Sequence, residues 1–293
     1  MESIRELLKK AVGVLKRCEH SDNPILDAEV LLVYALNQSG RSFDRLKLIT
    51  QSEYMVDGNA AEGYLGLIDE RSKGKPVQYI VNRQEFMGLE LHVAEGVLIP
   101  RADTEIVVEK VIELAGGIEK PNIIDMCTGS GAIAVSLAKN IPDARLWAAD
   151  ISDIALECCS ANVKEFGLES RICTIKSDLF ENIRVEGIIG NTDIIVSNPP
   201  YIESAVINEL GISVRGYEPH LALDGGRDGL VYYRRIVQES AEFLKPNGIL
   251  AFEIGHDQGV KVKNIMEESG YYDGLKLEKD LAGLDRCVWG NRL

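Results

Sequence analysis

The chain has 293 residues, 45% of them apolar and 27% charged, with a formal net charge of −14. That is an ordinary globular composition, long enough for one large domain and a smaller one. No run of eighteen apolar residues occurs and the first ten residues are charged and amphipathic, so neither a membrane span nor a signal peptide is expected and the protein reads as cytoplasmic.

The charge is uneven. Residues 1–85 carry 12 basic and 13 acidic side chains, the remainder 20 and 33. An acidic second half argues against a broad phosphate-binding surface, and so against nucleic acid as a partner. The six cysteines (18, 127, 158, 159, 173 and 287) form no Cys-x-x-Cys pair, and the four histidines show no metal-ligand spacing. Free thiols and no metal site are expected.

In chain order, Ile4, Leu7, Leu8, Ala11, Val14 and Leu15 recur at helical spacing over residues 2–18. Asn23-Pro24 reads as an N-cap with proline at the first helical position, and Ile25, Ala28, Leu32, Ala35 and Leu36 continue one apolar face to about Asn37. Ser39-Gly40 marks a loop. A further helix is expected from about Ser52 to Ser72, weakened by Gly58, Gly63 and Gly66. Residues 1–75 therefore read as a small helical bundle, for packing alone or for recruiting a substrate. Lys73-Gly74-Lys75-Pro76 is punctuation. Glu85 to Val93 alternates apolar and polar around a glycine, predicting a hairpin within a linker over 76–100.

Residues 101–293 form the remaining domain. A helix is expected over Thr104–Ala115, then strands and helices alternate: strands at Asn122–Met126, Arg145–Asp150, Ile172–Lys176, Asp193–Ser197 and Gly248–Ile254; helices at Gly131–Lys139, Asp153–Phe166, Asp228–Leu244 and Gln258–Ser269. Tyr272–Leu277 and Arg286–Trp289 read as closing strands. The alternation predicts an α/β fold, a mainly parallel sheet covered on both faces, with ligands at the carboxyl ends of the strands.

Those ends carry the chemistry. Asp125-Met126-Cys127-Thr128-Gly129-Ser130-Gly131 joins the first strand to its helix; small residues let the backbone approach a ligand, and the helix start offers free N–H groups. No lysine completes a phosphate loop, and Gly129-x-Gly131 followed by Ala134 fails the dinucleotide fingerprint. Asp150, 19 residues after Gly131, can accept from ribose hydroxyls; Asp178 with its apolar neighbour Leu179 suits an adenine amino group and ring face. Acids without a basic clamp favour a cationic nucleoside, and S-adenosylmethionine fits better than NAD or ATP. The fourth strand runs into Asn198-Pro199-Pro200-Tyr201. Two prolines remove two donors and fix two φ angles, leaving a stiff loop that presents an amide, a bare carbonyl and a ring, a receptor for a planar polar group.

With these motifs in view the chain resembles the class I S-adenosylmethionine-dependent methyltransferases, and more closely the HemK/PrmC family, the peptide chain release factor glutamine methyltransferases. The resemblance rests on Gln78-Tyr79-Ile80 with Glu85-Phe86, Leu98 to Glu105, the Asp125 to Gly131 loop, Asp150-Ile151-Ser152, and Asn198 to Tyr201. It extends to Tyr217-Glu218-Pro219, Leu223 to Gly226 with Asp228-Gly229-Leu230, Glu253-Ile254-Gly255 and Asp285-Arg286. It implies a Rossmann-like domain with a seven-stranded sheet, a helical N-terminal domain that engages the release factor, and methyl transfer to the glutamine of a Gly-Gly-Gln motif in class 1 release factors, with S-adenosylhomocysteine as product. It implies a cofactor site at Asp125, Cys127, Thr128, Gly129, Ser130, Gly131, Asp150, Ile151, Asp178, Leu179 and Asn198. The substrate side would comprise Asn198, Pro199, Pro200 and Tyr201, with Phe86, Arg101 and Glu218, although Glu218 could equally form a structural pair.

Three positions depart from the family pattern. Cys127 replaces the first loop glycine and should fit if φ stays negative; Ala102 stands where proline is common; Asn82 stands where glycine is common and tolerates a left-handed backbone. Planar amino groups of glutamine and adenine look alike to such a loop, so an adenine-N6 nucleic-acid methyltransferase and a ribosomal-protein glutamine methyltransferase are the alternatives, with a non-enzymatic cofactor-binding role last. Cys158-Cys159 and the run Tyr232 to Arg235 read as helix packing and solvated faces.

Overall fold

A computed structural model describes residues 1–18, 20–183 and 187–293. The chain divides into two units, Met1–Arg83 with Leu210–Tyr217, and Gln84–Glu209 with Glu218–Leu293. None of its described helices is long and apolar enough to cross a membrane.

The first unit opens with strand β1 (Glu2–Ser3) and helix α1 (Ile4–Leu15). Ser3 and Glu6 form a reciprocal capping box that satisfies two helix-end donors. Helix α2 (Pro24–Gln38) begins as the sequence predicts, with the Asn23 side chain accepting from the Leu26 N–H at 3.1 Å. Two short elements lie outside the predicted pattern, helix α3 (Arg45–Thr50) and strand β2 (Met55–Val56), which pairs antiparallel with β1. That pairing draws residues 55 and 56 into extended backbone, so the helix expected from Ser52 starts later. It is α4 (Gly58–Ser72), capped by Asp57 accepting from the Ala60 N–H. Helix α5 (Val77–Val81) ends at Asn82 with φ +55°, the left-handed conformation its side chain tolerates. Ile4, Leu7, Leu31, Leu32, Tyr64 and Ile68 fill the core.

The hairpin β3 (Arg83–Phe86) and β4 (Leu89–His92) turns at Met87-Gly88, and helix α6 (Ala102–Ala115) follows. Then come β5 (Asn122–Met126), α7 (Ala132–Asn140), β6 (Arg145–Asp150), α8 (Asp153–Glu165), β7 (Ile172–Lys176) and β8 (Thr192–Ser197). Short helices α9 (Ile212–Arg215) and α10 (His220–Leu223) lead to α11 (Val231–Ser240), β9 (Leu244–Glu253), α12 (Gly259–Glu268), β10 (Tyr272–Lys279) and β11 (Asp285–Arg292). Helix α11 is shorter than the pattern over 228–244 suggests, because Leu244 already belongs to the strand.

The seven strands stand in the order β10-β11-β9-β8-β5-β6-β7, with β11 antiparallel to both neighbours and the rest parallel. This is the mainly parallel sheet that the alternation predicts, with the seven strands that the resemblance implies. Successive strand residues face opposite layers. Ile123, Ile194 and Val196 pack under α6, α7 and α8; Ile124 and Ile195 pack under α11 and α12. The chain runs outward from β5 to β7, then returns to β8 on the other side of β5. The reversal opens a crevice between the ends of β5 and β8, where parallel sheets hold ligands.

Candidate active site

Register brings three loops together. Met126 pairs with Ala149 and with Ser197, so the turns after β5, β6 and β8 emerge side by side. They enclose a cleft of about 1120 Å³ of empty space, open mouth included.

The loop after β5 is held from behind. Asp125 is wholly buried; its Oδ2 accepts the Thr128 hydroxyl at 2.6 Å and the Ala134 N–H at 3.1 Å, and its Oδ1 has no partner. Burial pushes this carboxyl up to about 7. Asp125 therefore fastens the loop to helix α7 and does not line the cleft. Gly131 has φ +80°, and a Cβ there would lie 2.6 Å from the Cys159 sulfur, so only glycine fits. Cys159 and Cys158 are core residues, as read from sequence. The expectation for Cys127 fails. It has φ +61°, so a β-carbon occupies a backbone conformation suited to glycine. The residue lines the cleft, and burial with the Asp150 charge nearby pushes its thiol pKa well up.

Asp150 bridges two loops. Its Oδ2 accepts the Gly129 N–H and its Oδ1 the Ser152 N–H, each at 2.9 Å. Burial raises its pKa against the pull of those backbone donors. Ile151, Asp178 and Leu179 line the same wall. So do Tyr232 and Arg235, which corrects the reading of that helix face as packing and solvent alone. Arg235 reaches Asp178 at 2.9 Å, while Tyr233 is core and Arg234 pairs with Asp228. The other arginine of the wall, Arg101, donates to both oxygens of Glu218, at 2.6 and 2.7 Å. Burial raises the Glu218 pKa and Arg101 opposes it. Each guanidinium of the cleft thus has a carboxylate partner. Such a wall suits an uncharged or cationic nucleoside and offers no free clamp for a pyrophosphate. The cleft-lining residues that could hold such a nucleoside are Asp150, Ile151, Leu179 and the loop Cys127–Ser130.

On the other side, Asn198 and Pro200 face the cleft, while Pro199 is buried. The Asn198 amide nitrogen donates to Thr104 Oγ1 at 3.3 Å. Tyr201 turns away; its hydroxyl donates to Glu253 Oε1 at 3.3 Å and burial raises its pKa. The glycines downstream explain themselves here. A Cβ on Gly229 would lie 2.4 Å from the Tyr201 carbonyl, and one on Gly225 2.8 Å from the Tyr201 Cα. The Gln258 amide donates to that same carbonyl at 2.9 Å. Phe86 is fully buried in the core beside Leu91 and Val107 and does not line the cleft.

Sequence reasoning did not single out Thr104, Glu253, Gln258 or Asn162. The last is wholly buried and ties the hairpin to the loop after β5. Its amide donates to the His92 and Ser130 carbonyls, both at 2.9 Å, and accepts from the His92 N–H at 2.7 Å. Only the motif runs around 104 and 253 signalled two of the four.

Comparison with known proteins gives the family. A family model of the PrmC N-terminal domain matches residues 6–81, and one of the methyltransferase small domain matches residues 102–212. The release factor glutamine methyltransferase of Clostridium acetobutylicum is 42% identical over 97% of each chain. That of Moorella thermoacetica is 43% identical over 99% of each. The chain belongs to the release factor glutamine methyltransferase family. The fold is shared more widely. A 16S rRNA N2 G1207 methyltransferase from T. thermophilus superposes with a TM-score of 0.52 at 18% identity, covering 72% of this chain and 50% of that one.

Proposed function

We propose that the protein transfers a methyl group from S-adenosylmethionine to the side-chain amide nitrogen of the glutamine in the Gly-Gly-Gln motif of class 1 peptide chain release factors, in the cytoplasm. The observation that carries this reading is the placement of Asn198. It stands at the end of β8, beside the small-residue loop after β5, with its amide facing the cleft.

A glutamine nitrogen is a poor nucleophile because its lone pair is delocalised into the carbonyl. The Asn198 Oδ1 and the Pro199 carbonyl would each accept one N–H of that amide, turning the lone pair toward the methyl donor and stabilising positive charge as it develops on nitrogen. The bound cofactor supplies an electrophilic methyl group on sulfur. Asp150, Asp178 with Leu179, and the loop Cys127–Gly131 would hold it. Tyr201 stiffens the acceptor loop through Glu253. The N-terminal unit would engage the release factor; Leu46 and Ile49 on α3 are about 70% exposed and offer it an apolar contact.

The test is transfer of labelled methyl from the cofactor to purified release factor. The label should sit on the Gly-Gly-Gln glutamine and vanish when that residue is substituted. Asn198→Ala should lower turnover about 10²- to 10³-fold with little change in cofactor affinity. Label on DNA or RNA, or label persisting on the substituted factor, would overturn the assignment.

A further inference from the structure

The cleft wall that carries Asp178 is built from two elements. Asp178 follows β7, Arg235 stands on α11, and both residues line the cleft. Arg235 Nη1 lies 2.9 Å from Asp178 Oδ1. Its Nε lies 3.6 Å from Oε1 of Glu239, one turn further along the helix, so the guanidinium is held between two carboxylates. Among the described residues nothing pairs with Asp178 Oδ2.

The fold does not need this pair. Helix α11 is seated by Tyr233, Ile236 and Val237, and the Arg235 and Asp178 side chains are each 40% exposed. An ion pair so open to water contributes little to stability. Its effect falls on the carboxylate. A free aspartate on a loop samples several rotamers, and a ligand that binds it must first order it. With Oδ1 paired, Asp178 keeps one oxygen to accept with, in one orientation. A carboxylate accepts and does not donate. At position 6 of a purine an amino group meets that need and a carbonyl does not.

We propose that Arg235 is a positioning residue that holds Asp178 ready for the 6-amino group of the cofactor's base, and so sets a preference for adenine over a 6-oxopurine. The proposal rests on the reading above in which Asp178 holds the cofactor, with the base at that acid.

Calorimetric binding of S-adenosylhomocysteine and S-inosylhomocysteine tests this without turnover. The second ligand replaces the 6-amino group by a carbonyl. Both carry the same net charge, so the charge lost with the guanidinium cancels between them. Wild type should bind the adenosyl ligand at least about tenfold more tightly. Arg235→Met keeps the apolar stem and removes the donors. It should weaken the adenosyl ligand about tenfold and leave the inosyl ligand within about twofold. In the Asp178→Ala background the same substitution should change neither affinity by more than about twofold, because the arginine acts through the carboxylate. A wild type without preference, equal weakening of both ligands by Arg235→Met, or a loss that persists in Asp178→Ala overturns the proposal. If Asp178→Ala weakens the adenosyl ligand and Arg235→Met does not, the positioning role alone fails. If Asp178→Ala leaves both affinities at the wild-type value, the placement of the base at Asp178 fails as well.

Discussion

Glu253→Gln probes the carboxyl beneath the acceptor loop by its cost to the fold. Burial pushes Glu253 from the ordinary 4.5 up to about 7. The hydroxyls of Thr104 and Tyr201 and the Arg286 guanidinium oppose the rise, and Asp103 adds to it. The Tyr233 hydroxyl, on α11, donates to the Glu253 backbone carbonyl, and Cys287, on β11, lies near the carboxyl. Between the two values the folded chain holds a proton that the unfolded chain has released, so stability is present below the window and is lost as pH rises through it. Carrying both values through the linkage relation, this one group removes about 2 to 3 kcal/mol between pH 5 and pH 8. Glutamine has the same size and does not ionise. The unfolding free energy of the variant should therefore fall less steeply with pH, by that amount. Asp125 titrates near the same pH but is present in both proteins and cancels. Urea unfolding of both proteins at several pH values, with equal m-values, measures the difference. Parallel curves would show that Glu253 is ionised in the folded protein throughout and would refute the reasoning.

Two further substitutions test the scaffold. Gly131→Ala combines φ +80° with a Cβ 2.6 Å from the Cys159 sulfur and should cost about 1 to 3 kcal/mol while weakening cofactor binding; denaturant unfolding and calorimetry check the pair, and an unchanged stability would contradict the steric account. Asn162→Ala strands the His92 N–H and the carbonyls of His92 and Ser130 and should cost about 2 to 5 kcal/mol; a loss below about 1 kcal/mol would mean that water replaces the amide.

The sheet was legible because its strands are continuous apolar runs punctuated by small residues, a pattern that survives in sequence. The loop after β5 and the Asn198 turn were legible because glycine and proline restrict backbone in ways a single residue type reveals. What escaped is relational. Asp125 and Asp150 both end strands and are both acids, yet one props the loop from beneath and the other spans two loops at the cleft; only burial separates them. Thr104 lies 94 residues from Asn198 and is joined to it by the packing of α6 against β8, which no local pattern encodes. Helix α3 and strand β2 are too short for periodicity to show. Cys127 misled because its small size suggested an easy fit, whereas the turn that returns the Thr128 N–H to the Ala149 carbonyl at 3.0 Å holds residue 127 at positive φ.

The excursion Leu210–Tyr217 carries a consequence for biosynthesis. These residues belong with the first 83: Ile212 packs against Gly74, where a Cβ would lie 2.7 Å away, and the Tyr217 hydroxyl reaches the Lys73 carbonyl. The first unit to leave the ribosome is thus not complete until residue 217 has been made. It waits through more than a hundred residues of the second unit, acceptor loop included, for its last piece. A gene cut between codons 83 and 84 would leave the second unit whole but divide the first, since the downstream fragment would carry off a helix whose packing surface lies in the upstream one.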